Sequence, residues 1–286
     1  MRPLGDRFLR LFYEFSSGNR TSRAAGRLAQ VRLPSRVLAP LIRAYCRAFR
    51  VDLSDAVVPA GGFRTFNDFF TRRLRPGARP VVLDPQVVVS PCDGLLTAAG
   101  TVSQGLALQA KGRFYPIASL LGDPEAARAF EGGTYATLYL SPRDYHRVHS
   151  PCDAQVIRVR QLPGRLYTVA PRATHLMDDL LPRNERVVLD LRTEWGPVIV
   201  CLVGAAGVGR ITTPFCDLVS NSGDGFAPRA VCLDPPVPVR KGDDLGAFNV
   251  GSTVVLFLPP GTYEVLAPAP ASPIRMGSAL FRVLRP

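Results

Sequence analysis

"AFNVGSTVVLFLPPG", Ala247 to Gly261, is the stretch that sets the fold class. Five consecutive apolar residues, Val254 to Leu258, follow a Gly-Ser-Thr and are closed by Pro-Pro-Gly. A short apolar run bounded by turn formers reads as a buried strand. Runs of the same texture recur from residue 81 onward: "PVVLDPQVVVSP", "TYATLYLSP", "AQVIRVRQL", "RVVLDLRT", "PVIVCLVGAAGVGRITT" and "ALFRVL". Strands at this spacing, with 27 prolines and 25 glycines to turn between them, predict a mainly antiparallel β-sandwich or barrel. "ASLLGDPEAARAF" is the one clear helical insertion, and "SNSGDGFAPRAVCLDPPVPVRKGDD" reads as a long loop.

Upstream the texture is different. Residues 1–50 hold eleven arginines against Asp6 and Glu14, so most of the net charge of +12 lies there. Leu4, Phe8, Leu11, Phe12 and Phe15 recur at helical spacing, as do Val37, Leu41, Tyr45 and Phe49. Basic amphipathic helices of this kind suit either an anionic membrane surface or packing on their own domain with a solvated arginine face. In "RTFNDFFTRRLRPGARPV", Thr65 and Asp68 form a capping box before a short helix. The expected organisation is α+β: a basic helical segment over residues 1–60 and a β-rich catalytic domain over residues 61–286.

Composition narrows the function classes. No window reaches 18 apolar residues, so no spanning helix is expected, and no secretory signal pattern is legible. The six cysteines include no Cys-x-x-Cys pair, which argues against a zinc site or a disulfide framework and for a reduced, cytosolic-side location. The basic charge is almost all arginine, a side chain that grips phosphate in a fork. Nucleic-acid binding lacks a recognisable motif. "KGDDLGAF" has the texture of lipoyl-type domains, but Lys241 sits in no Met-Lys hairpin. Ser90-Pro-Cys-Asp-Gly94 and Ser150-Pro-Cys-Asp-Ala154 echo each other, either by coincidence or as similar turns in a pseudo-symmetric sandwich.

Chemistry concentrates at two places. His146 and His149 stand three residues apart in "YLSPRDYHRVHSPCDA", suited to metal binding, to acid–base work, or to neither. His175 has no comparable context. Ser252 opens the apolar run and would need a base and an orienting acid, for which Asp93, Asp144 and Asp153 are candidates. The hydrolase elbow Gly-x-Ser-x-Gly is absent, so a serine hydrolase is a weak reading.

The blocks "RTFNDFFTRRLRP", "VVSPCDG", "LQAKGRFY", "LYLSPRDYHRVHSPCDA", "PRNERVV", "VGAAGVGRI" and "GAFNVGSTVVLF" closely resemble the phosphatidylserine decarboxylase family, from about residue 60 to the C-terminus. Val250 replaces the leucine frequent before Gly-Ser-Thr in the bacterial members, and residues 214–240 match least. The resemblance implies a precursor that cuts itself between Gly251 and Ser252, leaving a β chain of residues 1–251 and an α chain of residues 252–286. Ser252 would attack the Gly251 carbonyl to form an ester. Elimination would then leave a dehydroalanine that becomes a covalent pyruvoyl group, the Schiff-base site for phosphatidylserine. His149 would be the base and Asp93 its orienting acid, with His146 assisting decarboxylation or proton transfer. No metal and no pyridoxal phosphate are implied. The partners would be phosphatidylserine, the other chain of the α/β pair, with room for a higher homo-oligomer, and an anionic membrane surface on the cytoplasmic face, but no nucleic acid.

Overall fold

The computed structural model describes residues 19–110, 113–207, 210–221, 227–249 and 252–285. The first apolar stripe, Leu4 to Phe15, and Gly251 of the expected scissile bond lie outside the described residues. The strands are β1 (Val87–Val89), β2 (Gly94–Thr101), β3 (Leu106–Ala110), β4 (Arg113–Pro116), β5 (Gly133–Leu140), β6 (Arg147–His149), β7 (Ala154–Leu162) and β8 (Arg186–Thr193). They continue as β9 (Gly196–Gly204), β10 (Ile211–Thr212), β11 (Arg229–Val239), β12 (Asp244–Phe248), β13 (Ser252–Pro260), β14 (Thr262–Val265), β15 (Ser272–Ile274) and β16 (Ala279–Arg285).

The main sheet is antiparallel, in the order β11-β7-β8-β9-β13-β5-β2-β15. The opening stretch is β13, flanked by β9 and β5. Val254 to Leu258 are all fully buried, so an unbroken apolar run is what this interior position requires. Two small sheets, β1-β16-β14 and β10-β12-β6, pack beside it, giving the expected α+β, mainly antiparallel β architecture.

Three local readings meet the structure differently. The capping box forms in full: Thr65 Oγ1 accepts from Asp68 N, and Asp68 Oδ2 accepts from Thr65 N. The helical insertion is two short helices, Ile117–Leu121 and Pro124–Arg128, broken at Gly122 and restarted by the Asp123 cap. The expected loop of residues 220–244 is a correction, because Arg229–Val239 is strand β11. Its prolines are tolerated because β11 is an edge strand pairing only with β7. The register breaks between Cys232 and Val237, where Pro235 and Pro236 fall.

Helices α1 (Asn19–Ala29), α2 (Ser35–Phe49) and α3 (Phe66–Phe70) precede the sheets. Leu38 and Ile42 of α2 bury against Phe69 and Phe70 of α3 in one apolar cluster, which spans the expected boundary at residue 60. The second stripe of α2 divides: Tyr45 packs into this cluster with the part-exposed Phe49 ring 4.4 Å away, while Val37 and Leu41 are exposed. This helical cap is braced onto the histidine turn. Tyr45 Oη donates to Pro142 O at 3.3 Å, and the Phe70 ring lies 4.1 Å from that of His146.

The pentapeptide echo is a true structural repeat. Val89 N donates to Pro151 O as His149 N donates to Pro91 O, and Ser90 Oγ caps Cys92 O as Ser150 Oγ caps Cys152 O. Ser90 N bonds Ser278 O and Ser150 N bonds Asp243 O, while Gly277 N and Gly242 N return to Ser90 O and Ser150 O. Asp93 accepts from Met276 N just as Asp153 accepts from Lys241 N. Each half therefore joins a Ser-Pro-Cys-Asp turn to an Arg-x-Gly turn, Arg240–Gly242 or Arg275–Gly277. Both glycines are left-handed, at φ 90° and 87°, a conformation that costs other residues strain. In this pseudo-two-fold, His149 takes the place of Val89.

Candidate active site

The predicted residues converge on the turns around this pseudo-two-fold. Ser252 is the first residue of β13, 1% exposed, facing Leu140 on β5 and Gly204 on β9. A side chain at Gly204 would be tight: a Cβ there would meet Leu166 and the Glu185 carbonyl at 3.0 and 3.1 Å. Ser252 Oγ is buried with no hydrogen-bond partner among the described residues. An unpaired buried hydroxyl costs about 1–3 kcal/mol, so its retention calls for a reason outside stability. The chain just before it is pinned. Asn249 donates from both its backbone N and its Nδ2 to Arg210 O, at 2.8 and 2.9 Å.

His146 is fully buried between Phe70 and the turn. Its Nδ1 sits 2.8 Å from Asp144 O. A carbonyl only accepts, so Nδ1 carries the proton and Nε2 keeps a lone pair. That Nε2 is buried and lacks a partner among the described residues. Burial, the dominant cause, lowers the His146 pKa to about 3, and the nearby Arg72 charge adds to this. His146 is therefore neutral at pH 7. The chain on either side of it is tied to the chain around Ser252: His146 O accepts from Phe248 N at 3.0 Å, and the turn begins just after Leu140.

His149 is 9% exposed and likewise neutral, its pKa lowered mainly by burial. Its Nδ1 lies 2.8 Å from Gly242 O, which fixes the tautomer and leaves Nε2 as the acceptor, 3.0 Å from Tyr145 Oη. Asp93 does not bond His149 in this arrangement. Its carboxylate is held by Arg79, through Nε at 2.9 and 3.1 Å and Nη2 at 2.6 Å, and by Met276 N at 2.9 Å. At longer range Asp244 and, less strongly, Asp93 favour the protonated imidazole of His149, against Arg147. Two adjacent cavities record this layout. Asp93 lines one of about 400 Å³ and His149 one of about 320 Å³, with Arg79 and Tyr145 lining both.

Sequence reasoning missed Arg79, Tyr145, Asn249 and the Gly242 carbonyl. The Arg-x-Gly recurring after each Ser-Pro-Cys-Asp half was the available signal for Gly242; Tyr145 stood beside the histidine pair unread. Asp144 and Asp153 do not join the histidines through their side chains. Asp144 accepts from Ser141 N and Oγ, and Asp153 from Lys241 N. His175 lies away from these turns, where its backbone carbonyl accepts from Arg113 Nε of β4.

The arrangement holds a buried, unpaired serine hydroxyl, two neutral imidazoles with defined lone pairs, and a carboxylate–arginine pair. These can move protons around a backbone serine. Comparison with known sequences points the same way. A sequence model of the family described as phosphatidylserine decarboxylase matches residues 66–282. The phosphatidylserine decarboxylase proenzyme of Anaeromyxobacter sp. (strain K) is 43% identical over 270 residues, covering 92% of this chain and 93% of its own. That of Acidovorax ebreus is 42% identical over 259 residues, covering 90% of each chain. That of Hahella chejuensis is 37% identical over 286 residues, covering 99% of this chain and 96% of its own. The chain belongs to the phosphatidylserine decarboxylase family.

Proposed function

We propose that this decarboxylase is made as a precursor, cuts itself between Gly251 and Ser252, and converts phosphatidylserine to phosphatidylethanolamine with the pyruvoyl group left at Ser252. The observation that carries this reading is Ser252 Oγ, buried and unpartnered at the head of the central strand. The pyruvoyl group keeps the three-carbon skeleton of the serine, so the pocket that holds Ser252 fits it, and the ladders of β13 to β9 and β5 would hold the new N-terminus. Once formed, the group supplies an electron sink for the pair released as CO₂ leaves.

The chain's own residues divide the proton work. His149 Nε2, the lone pair fixed by the Gly242 carbonyl, takes the Ser252 proton once Tyr145 Oη gives way. Asp93, itself held by Arg79, favours the imidazolium that results. Asn249 and Arg210 fix the chain that carries the attacked carbonyl. His146, its Nε2 bare beside the turn, would take a proton from the substrate ammonium and return it to the carbon that has lost CO₂. Intact-mass measurement of the purified protein tests the reading. Two chains are expected, with a 35-residue fragment beginning in a pyruvoyl group. A single unmodified chain that releases CO₂ would refute it.

The helical cap supports a peripheral place on the cytoplasmic face of the membrane. No helix among the described residues is long and apolar enough to cross a bilayer. On α2 the exposed Val37 and Leu41 border the face that carries Arg36, Arg43, Arg47 and Arg50, an apolar edge beside arginines that suit anionic headgroups. Val37→Asn combined with Leu41→Asn is expected to weaken sedimentation with phosphatidylserine vesicles at least about tenfold, since each apolar side chain contributes roughly 1.5 kcal/mol or more when fully inserted. Unchanged sedimentation would remove α2 from the membrane contact.

A further inference from the structure

Arg72 is a buried cation without a paired carboxylate among the described residues. The residue is 5% exposed. Among the described residues no carboxylate lies within ion-pair distance of its guanidinium, and its Nε is buried without a partner. One η nitrogen reaches Arg143 O and Asp144 O, both at 3.4 Å, the long limit of a hydrogen bond. Its remaining contact is the Phe69 ring, with the centroid 5.5 Å away. A buried charge this poorly satisfied is costly to fold around, and a ligand of opposite charge would relieve the cost.

The surroundings fit such a ligand. Arg72 lines the cavity of about 400 Å³, large enough for a lipid headgroup. Arg50 and Arg275 line it too, and neither has a carboxylate partner among the described residues. The acids there are largely committed: Asp55 and Asp93 both hold Arg79, and Asp144 accepts from Ser141. Counting Asp52 and Arg143 as well, five arginines (Arg50, Arg72, Arg79, Arg143, Arg275) face four aspartates (Asp52, Asp55, Asp93, Asp144) in the lining, which leaves the cavity net positive. It also borders the chemistry. The Asp144 carbonyl that Arg72 reaches is the one that His146 Nδ1 holds at 2.8 Å. Arg50 caps the C-terminus of α2, the helix with the exposed Val37 and Leu41, so the cavity opens beside the surface where lipid would lie.

Resting on the decarboxylase reading above, we propose that Arg72 binds the phosphodiester of the lipid headgroup in this cavity. Phosphatidylserine carries two anions, and the chemistry selects between them. The carboxylate charge is lost in the reaction, so a cation paired with it would stabilise the ground state over the transition state and slow CO₂ release. The phosphodiester keeps its charge from substrate to product, and a forked guanidinium matches its oxygens.

The test uses Arg72→Gln and Arg72→Lys with short-chain phosphatidylserine in mixed micelles. Glycerophosphoethanolamine, which has the phosphodiester without the carboxylate, and L-serine, which has the carboxylate without the phosphate, serve as competitors. Intact mass should show normal cutting. KM for Arg72→Gln should rise about tenfold, with a smaller change in kcat, and inhibition by glycerophosphoethanolamine should weaken in step while that by L-serine holds. Arg72→Lys, which keeps the charge but not the fork, should fall between and serves alone if the Gln variant does not fold. A wild-type KM in the variants would overturn the proposal. So would weakened inhibition by L-serine with that by glycerophosphoethanolamine unchanged, which would assign Arg72 to the carboxylate. CO₂ release by the unmodified chain tests the decarboxylase reading separately.

Discussion

Ser252→Ala is expected to remain a single uncut chain, to release no CO₂ from phosphatidylserine, and to be at least as stable as the unmodified precursor. The first two outcomes follow from the proposed attack of Ser252 Oγ on the Gly251 carbonyl. The third comes from the geometry. Ser252 Oγ is buried with no hydrogen-bond partner among the described residues, so the folded state leaves its water bonds unreplaced. Alanine removes that deficit, worth about 1–3 kcal/mol, and leaves a void of only one oxygen. β13 keeps its ladders to β9 and β5, because the substitution touches no backbone group. Intact mass, a CO₂ assay and urea unfolding together check this. The stability outcome makes the result diagnostic: an inactive variant that was also unfolded would say nothing about chemistry. Normal cutting in Ser252→Ala would remove Ser252 from the scheme.

What could be read from the chain beforehand was whatever is local. The five apolar residues after Ser252 need an interior strand wherever they are placed, and Thr65 and Asp68 satisfy each other three residues apart. Strand β11 was illegible because its prolines violate the propensity for an interior strand, and only its edge position, a tertiary fact, makes them acceptable. The partners of the site were hidden for a related reason. Asp93 meets Met276 across 183 residues, and His149 meets Gly242 across 93. No local pattern links such pairs. The pseudo-two-fold also explains why Asp93 resists a simple triad reading. Its counterpart Asp153 makes the same bond to a turn N–H without touching a histidine side chain, so part of the role of Asp93 is to seat a turn. Each half contributes one functional feature: Arg79 sits on the aspartate of the Val89 half, and the other half carries His149 where the first has Val89.

His149→Ala is expected to slow self-cutting by at least about 10²-fold, the lower range of a general base, whereas His146→Ala should cut normally and lose about 10²-fold in kcat for decarboxylation. The hydrogen bonds motivate this division. His149 donates from Nδ1 to Gly242 O, so its Nε2 is a basic lone pair, and Asp93 lies near enough to favour the imidazolium formed during attack. His146 also has a lone pair at Nε2, but deep burial lowers its pKa to about 3, which makes it a poor acceptor of a full proton before the substrate arrives. The pH dependence of cutting provides a second check. The base works when neutral, and burial lowers the His149 pKa below the ordinary value of 6.5. The rate of cutting by freshly translated precursor should therefore fall on acidification with a midpoint below 6.5. A midpoint at or above 6.5 would contradict the lowered pKa. If His146→Ala instead blocked cutting while His149→Ala did not, the base would be His146, and its bare Nε2 would face the nucleophile rather than the substrate.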